Sequence, residues 1–300
     1  MAKRPEDWDV VPGAGGGEAE AVIDCLDRAA VLMRRDRLRR GNMVNLPARG
    51  EAVVLGDLHG DLENLERAVE WAALQCNRDR YLILQELIHA GPPDGRGGEL
   101  SFRALERAAA LKCRFRSQVQ MVLSNHDLAE VAGTEITRAK RPVRKPFRRG
   151  IENAYGPAWK RVHAAYVALL ASLPLAVRTP NGVFISHSTP GHKAMADFDF
   201  SIFDRPLART PCGPGTSLYD FTWNRNYCQC CADRFARSVG AEILVTGHQA
   251  SMPGVKTPTT RHIVLQSDGP LGRLMLLPLG VPVLHGALSS QVMKVRALRP

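Results

Sequence analysis

The sequence lacks any hydrophobic run long enough to cross a membrane, which takes roughly 18 consecutive apolar residues. Its longest candidates, residues 167–177 and 275–284, are interrupted by Ser, Pro or Gly. Its first residues carry no apolar run after the basic ones, so we expect no secretory signal. A membrane span is therefore excluded by the sequence, and a cytoplasmic protein is expected.

A regular cysteine pattern is also lacking. Four of the seven cysteines stand singly, at Cys25, Cys76, Cys113 and Cys212. An odd total without a secretory signal predicts reduced thiols. The other three are the cluster Cys228, Cys230 and Cys231. This cluster has only Cys212 as a plausible fourth ligand for a structural zinc ion, and free thiols at the start of a helix are the alternative.

Internal repeats and low-complexity tracts are absent beyond a glycine-rich start. The 300 residues are 45% hydrophobic and 23% charged, which excludes disorder or collagen as a description of the whole chain. The length would fit two domains or one α/β domain. We predict a flexible segment at residues 1–20 and a single domain over 21–300.

Acidic residues are outnumbered, 30 against 40 basic ones, and the formal net charge is +10. This excess favours anionic partners such as phosphates, acidic proteins or nucleic acid, although a compositional bias of the source explains it equally well. Seven Lys or Arg and no acidic residue occur between positions 138 and 149, which predicts a basic loop at 138–150. Since no recognisable nucleic-acid-binding module accompanies it, nucleic acid is not excluded but is unsupported by a motif.

Short apolar runs alternate with amphipathic stretches in the first half of the chain. Helical spacing of apolar residues predicts a first helix over 18–40. Strands are predicted at 52–55, 81–84 and 119–123, with helices at 61–76 and 101–114 between them. This alternation is typical of βαβ units and a largely parallel sheet.

The second half reads differently, because turns separate several short apolar runs. After a helix near 158–173, strands are predicted at 175–177, 183–186, 242–245, 263–266 and 274–277, with one clear helix at 232–239. The pattern predicts a second, mixed sheet packed on the first. The fold class is therefore α/β, with two packed mixed sheets flanked by helices.

Potential metal ligands fall at the ends of five of these predicted strands. They are Asp57 with His59, Glu86, Asn125, His187 and His248. Because the carboxyl ends of strands form the ligand crevice of open α/β sheets, we expect these groups to converge. Each one alone is equally explained as a helix cap or a structural histidine. Imidazole, carboxylate and amide oxygen together suit Mn, Fe or Zn better than calcium, so the joint pattern predicts a metal site.

These residues carry a resemblance to a known family. The motifs are Gly56-Asp57-Leu58-His59-Gly60, Gln85-Glu86-Leu87-Ile88-His89-Ala90-Gly91, Ser124-Asn125-His126-Asp127, Ser186-His187-Ser188 and Gly247-His248-Gln249. In this order they resemble the calcineurin-like metallophosphoesterases, specifically the phosphoprotein phosphatase branch, from about residue 51 to 277. The resemblance implies an αββα sandwich with its active site at the carboxyl ends of the strands.

The resemblance also implies two divalent metal ions. One would be held by Asp57, His59 and Glu86. The other would be held by Glu86, Asn125, His187 and His248, so that Glu86 bridges them. Two such ions make a nucleophile from water near neutral pH and neutralise phosphoryl charge. His126 would be the general acid that protonates the leaving oxygen.

The second motif departs from the family pattern at three positions. Glu86 stands where the family has Asp, and His89 stands where a second Asp orients the catalytic imidazole. Ala90 replaces an Arg that clamps substrate phosphate. Arg225 lies roughly where the family places another phosphate-binding Arg, and we identify it as the candidate substrate-binding residue; the basic loop is a second candidate.

The predicted function is a dimetal-dependent phosphoesterase that hydrolyses phosphate monoesters, similar to serine/threonine protein phosphatases. Manganese is the expected metal, with iron or zinc as alternatives. One alternative function is a nucleotide or dinucleoside-polyphosphate hydrolase, which the basic excess favours. Another is a metal-binding pseudo-phosphatase that binds anionic partners without turnover, which the altered second motif favours. The expected partner is a phosphorylated substrate, either a phosphoprotein or a nucleotide.

Overall fold

The structure is a computed structural model that describes residues 16–138, 140–249 and 253–298. Its α-helices are α1 (Gly16–Arg34), α2 (Leu62–Ala72), α3 (Phe102–Phe115), α4 (Asn125–Ala132), α5 (Arg144–Tyr155), α6 (Trp159–Leu170), α7 (Ser217–Trp223), α8 (Gln229–Val239) and α9 (His285–Ser290). Among the described residues, no helix combines the length and apolar character that crossing a bilayer requires.

The strands form two large mixed sheets and one hairpin. They are β1 (Arg39–Arg40), β2 (Met43–Asn45), β3 (Glu51–Asp57), β4 (Arg80–Gln85), β5 (Val119–Val122), β6 (Thr137–Arg138), β7 (Arg141–Pro142), β8 (Ala176–Arg178), β9 (Val183–Ser186), β10 (Ile243–Thr246), β11 (Val255–Lys256), β12 (His262–Leu265), β13 (Arg273–Pro278) and β14 (Val292–Lys294). One sheet has the order β14-β13-β3-β4-β5 and the other β1-β2-β8-β9-β10-β12-β11.

Parallel pairing places the ligand-bearing ends together within each sheet. β3 pairs in parallel with β4, and β4 with β5. In the other sheet β10 pairs in parallel with both β9 and β12. Since parallel strands end at the same edge, the residues that follow β3, β4 and β5 meet at one rim, and those that follow β9 and β10 meet at another.

Each sheet is covered on both faces, which explains why its strands read as continuous apolar runs. In β3, Ala52 and Val54 pack in the layer between the sheets, whereas Val53 and Leu55 belong to the core cluster that contains helix residues. The same clusters hold Leu244 of β10 on the helical side and Val245 between the sheets. The molecule is thus an αββα sandwich of two mixed sheets, and the predicted fold class is confirmed.

The first helix ends earlier than the sequence predicts. It was expected over 18–40, but α1 stops at Arg34 and Arg39 already belongs to β1. Asp36 turns the chain: its carboxylate accepts the backbone N–H of Leu38 at 3.0 Å and the buried ammonium of Lys112 at 2.6 Å. A buried ion pair that also caps a turn outweighs the helical pattern of the following arginines.

The basic segment is not a loop. Residues 138–150 were predicted as one, but they hold part of the β6–β7 hairpin and the first half of α5. Phe147, Ile151 and Tyr155 are buried on α5 at helical spacing, and Arg144 is buried with them, whereas Lys145 and Arg149 are exposed. The predicted flexible segment at 1–20 is wrong for residues 16–20, which open α1, while residues 1–15 lie outside the described chain.

Candidate metal centre

The ends of strands from both sheets meet at one cavity of about 280 Å³. Its lining comes from the end of β3, from the segments that follow β3, β4, β5, α7, β10 and β12, and from β6. The lining residues are Asp57, His59, Glu86, His126, Thr137, Arg138, Arg225, His248, Gln266 and Asp268. Six of the eight residues singled out from the sequence line this cavity, namely Asp57, His59, Glu86, His126, Arg225 and His248.

A first group of donors consists of Asp57, His59 and Glu86, all of them buried. His59 Nε2 lies 3.2 Å from Glu86 Oε2 and 4.0 Å from Asp57 Oδ2. One imidazole and two carboxylates at such distances form a pocket of donors suited to a divalent cation.

A second group consists of Glu86, Asn125, His187 and His248. His187 Nε2 lies 2.7 Å from Asn125 Oδ1, 3.0 Å from His248 Nδ1 and 3.4 Å from Glu86 Oε1. Two imidazoles, a carboxylate and an amide oxygen thus point to a common position. The six residues predicted as ligands are all brought together.

Glu86 belongs to both groups. Its Oε2 faces His59 of the first group, whereas its Oε1 faces His187 of the second. Among the described residues, Oε1 has no hydrogen-bond donor, although it is buried. A buried carboxylate oxygen without a donor is costly unless a cation satisfies it. The arrangement fits a carboxylate that bridges two ions.

The backbone at this rim is held in unusual conformations. His59, Glu86 and His248 have φ angles of 44°, 44° and 67°, a region that non-glycine residues rarely adopt. His248 then donates its backbone N–H to both oxygens of Asp57, at 2.9 and 3.0 Å. A Cβ atom on Gly247 would lie 2.1 Å from Asp57 Oδ1, so only glycine permits this contact between the two sheets.

One histidine of each group is oriented as metal ligands usually are. His59 places Nδ1 3.2 Å from the carbonyl oxygen of His89, which leaves Nε2 to face the first group. His248 places Nε2 3.1 Å from the carbonyl oxygen of Trp223, which leaves Nδ1 to face the second. A backbone carbonyl behind each ring fixes the tautomer that directs a lone pair toward a cation.

Burial makes charge unfavourable throughout the cavity. Burial, with a minor contribution from neighbouring Asp127, raises the pKa of Glu86 to about 7, and burial followed by the charge of Glu86 raises the pKa of Asp57 well above its usual range. Burial likewise lowers the pKa of His248 to about 3. A bound cation reverses this situation, because it favours ionised carboxylates and neutral imidazoles. The donor set therefore fits divalent metal ions.

His126 is linked to a chain of polar groups behind it. Its Nδ1 lies 3.2 Å from Nδ1 of His89, and Nε2 of His89 lies 3.2 Å from Glu130 Oε2. Asp127 makes no such contact, since it forms a capping box with Ser124 at the start of α4. His89 thus stands in the position where the family pattern has a carboxylate. Through its two ring nitrogens it connects His126 to the carboxylate of Glu130.

Glu130 is a buried carboxylate held by several cationic or donor groups. Arg144 contacts it through Nε at 2.8 Å, and His163 through Nε2 at 2.7 Å. Although burial acts in the opposite direction, hydrogen bonds from His163, His89 and Arg144 lower the pKa of Glu130 well below its usual range. The group remains ionised, so it accepts a hydrogen bond from the Nε2–H of His89 and leaves Nδ1 of His89 as an acceptor for His126.

Two arginines reach the cavity. Arg225 lies with its Nε 3.0 Å from His248 Nε2. Arg138 pairs with Asp268 at 2.9 Å and is half-exposed. Arg138 was noted only as part of a basic loop, and nothing in the sequence distinguished it from its neighbours. The β6–β7 hairpin brings Arg138 to the rim together with Thr137.

Glu130 was missed in the sequence, although a signal was present. It follows His126 by four residues in a segment that forms α4, and this spacing puts both side chains on one face. Reading the catalytic motif as the start of a helix would have suggested it.

Two ligand groups that share a carboxylate, at the strand ends of an αββα sandwich, are typical of a two-metal hydrolase. The chain belongs to the calcineurin-like phosphoesterase family, whose model matches residues 52–252. It is accordingly a metal-dependent phosphoric ester hydrolase that acts on phosphorylated substrates. The family resemblance found in the motifs is confirmed.

Solved structures share the fold. A protein serine/threonine phosphatase from Saccharomyces cerevisiae with similarity to human phosphatase PP5 has a TM-score of 0.68 at 14% identity, covering 92% of this chain and 88% of that chain. A cold-active protein-tyrosine phosphatase from a psychrophilic Shewanella species has a TM-score of 0.56 at 12% identity, covering 88% and 84%. A search of curated proteins found no match.

Proposed function

We propose that the protein is a phosphomonoesterase of the serine/threonine protein phosphatase type, with manganese as its metal. One observation carries the proposal: Glu86 divides its two oxygens between two donor groups at a single cavity. Asp57 and His59 complete the first site, and Asn125, His187 and His248 complete the second. Divalent ions held by these residues would supply an activated water for in-line attack on phosphorus and would neutralise charge on the phosphoryl oxygens.

His126 is proposed as the general acid. Its Nδ1–H donates to Nδ1 of His89, which is free to accept because the hydrogen of that ring is on Nε2, where it is donated to Glu130. This fixes the ring so that Nε2 is the atom free to carry a proton to the leaving oxygen. The imidazole of His89 stabilises a protonated His126 less well than a carboxylate in its place would. The ionised carboxylate of Glu130, which accepts a hydrogen bond from His89, supplies the negative charge from behind it.

Arg225 and Arg138 are proposed to bind the substrate phosphate. When Nδ1 of His248 is a metal ligand, its Nε2 must carry a hydrogen, which the carbonyl oxygen of Trp223 accepts at 3.1 Å. Nε2 can then no longer accept the N–H of Arg225. The guanidinium becomes available to a phosphate in the cavity, where it takes over the charge-assisted contact that Ala90 cannot make.

The proposed substrate class follows from the motif order and from the fold shared with the serine/threonine phosphatase. The competing substrate is a dinucleoside polyphosphate, which two arginines at one cavity also favour because such compounds carry several charges. A cytoplasmic location stays a prediction from the sequence.

The test compares Mn²⁺-dependent hydrolysis of phosphoserine, phosphotyrosine and dinucleoside-polyphosphate substrates by the full chain. We expect kcat/KM to be highest for the phosphoserine peptide. Asp57→Asn and His248→Ala should each remove activity on every substrate, because each breaks one donor group.

A higher kcat/KM for the dinucleoside polyphosphate would contradict the proposal and identify the protein as a nucleotide hydrolase. Hydrolysis of phosphotyrosine alone would contradict the serine/threonine assignment. Two bound metal ions without turnover of any substrate would show a binder of anionic partners instead.

The link from His126 through His89 gives a separate prediction. We expect His89→Ala to lower kcat for the phosphoserine peptide by about 10–100-fold, the usual cost of losing a group that orients an active-site residue. His89→Asn should keep most of the activity, because its Oδ1 can take the place of the accepting Nδ1. Metal content and KM are measured beside kcat. Equal losses in both variants would contradict this positioning role.

A further inference from the structure

A second cluster of metal-binding side chains lies outside the catalytic cavity. It contains Cys228, Cys230 and Cys231 together with His192, and one donor atom of each lies within 4.8 Å of all the others. Cys228 is the N-cap of α8, and the other two cysteines lie in its first turn. His192 comes from the segment after β9. The fourth member is thus His192, where the sequence had suggested only Cys212.

The distances within the cluster fit a tetrahedral ion. Zn–S bonds of about 2.3 Å and Zn–N bonds of about 2.0 Å give ligand-to-ligand distances of roughly 3.5–3.8 Å in a tetrahedron. Cys231 Sγ lies 3.5 Å and Cys230 Sγ 3.9 Å from His192 Nδ1, and Cys228 Sγ lies 3.2 Å from Cys230 Sγ. The last distance is well beyond the roughly 2.05 Å of a disulfide bond.

The local electrostatics favour a thiolate at Cys228, whereas burial raises the pKa of the Cys231 thiol to about 12. The backbone N–H of Cys231 donates to Cys228 Sγ at 3.3 Å, at the helix end where the peptide dipoles stabilise negative charge. Hydrogen bonding, first from Cys231, lowers the pKa of the Cys228 thiol to about 7. Metal binding needs deprotonated sulfur, so the proton of each thiol is released when the ion enters.

We propose that Cys228, Cys230, Cys231 and His192 bind a structural Zn²⁺ ion that fastens the segment after β9 to the start of α8. Three soft thiolates and one imidazole form a closed set of four protein ligands, which is the pattern of structural rather than catalytic zinc. The site contains no oxygen ligand and shares no residue with the catalytic cavity.

The two segments joined by this ion carry residues of the catalytic rim. The segment after β9 includes His187. The segment between α7 and α8, which leads into Cys228, includes Arg225. They already touch, since Ser188 Oγ donates to the carbonyl oxygen of Asn224 at 2.6 Å, and Asn224 Nδ2 donates to the carbonyl oxygen of Thr189 at 2.8 Å. A zinc ion would stabilise these hydrogen bonds by fixing the two segments relative to each other.

The test uses Co²⁺ as a spectroscopic substitute for zinc in the full chain, after chelation and thiol reduction. Sulfur-to-cobalt charge transfer reports only on thiolate ligands, so ions in the catalytic cavity do not contribute. We expect one such site per chain, displaced by Zn²⁺ and retained in Asp57→Asn. Cys230→Ser and His192→Ala should weaken Zn²⁺ binding by at least about 100-fold, because even loss of an outer partner costs about 10–100-fold.

Two variants separate binding from folding. Cys212→Ser should bind as the parent does, since Cys212 is outside the cluster. His192→Cys should restore the cobalt signal as a four-cysteine site. Absence of a sulfur-to-cobalt band in the reduced parent would overturn the proposal, and so would a band unchanged in Cys230→Ser. Equal alkylation rates of the three thiols with and without Zn²⁺ would also overturn it.

Discussion

Glu86→Gln should reduce Mn²⁺-dependent kcat/KM on every phosphate ester by on the order of 10³-fold or more. The amide carries no charge, and its NH₂ group must face one of the two donor groups that now face carboxylate oxygens. Removing one group that stabilises charge in a transition state already costs about 10²–10³-fold. Because Glu86 serves both sites, we expect the loss of at least one bound metal ion, measured by equilibrium dialysis and elemental analysis.

Glu66→Gln makes the same chemical change on α2, where the carboxylate pairs with Arg107 away from the cavity, and it should leave activity unchanged. Glu86→Asp keeps the charge and restores the residue of the family pattern, so we expect it to retain more activity than Glu86→Gln. A Gln variant with parental kcat/KM and two bound ions would mean that Glu86 does not bridge.

His126→Gln should lower kcat for a phosphoserine peptide by about 10²–10⁴-fold, the usual contribution of a positioned general acid. Its effect on p-nitrophenyl phosphate should be much smaller. The nitrophenolate anion leaves without a proton, whereas a serine alkoxide needs one. Metal content should stay at the parental level, because the ring of His126 belongs to neither donor group. The measurement is kcat on both substrates beside metal analysis.

His285→Gln provides the matched control, since His285 contacts the carbonyl oxygen of His262 and does not line the cavity. Parental rates are expected for it on both substrates. If His126→Gln slows the two esters equally, His126 acts by some means other than protonating the leaving group.

The ligand positions could be predicted because each depends on a local pattern. A β-branched or apolar run followed by Asp57 or Glu86 marks a strand end, and parallel pairing brings strand ends together. Uninterrupted apolar runs also predict that both faces of each sheet are covered. Val53 and Val54, neighbours in β3, are buried on opposite faces. The fold class and the convergence of the candidate donors were therefore within reach of the sequence.

The groups behind the donors were not within reach, because they depend on packing between elements that are distant in sequence. Arg144 and His163 meet Glu130 only after α5 and α6 have packed near α4. Pro146 and Gly150 interrupt the helical pattern of α5, since both residues disfavour helices. The high density of charge in the same segment favoured the prediction of an exposed loop. His192 had no pattern of its own, since its place beside α8 depends on how the segment after β9 turns.

The residues of the two donor groups come from two sheets that pack on each other across their shared apolar layer. Asp57 ends a strand of one sheet, while His248, which donates its N–H to Asp57, follows a strand of the other. The distance between Asp57 and His248 consequently depends on how the two sheets pack on each other. Substitutions at Val54 or Ile185 in that layer, far from any phosphate, would change the reaction rate by shifting one sheet, and the donors it carries, relative to the other.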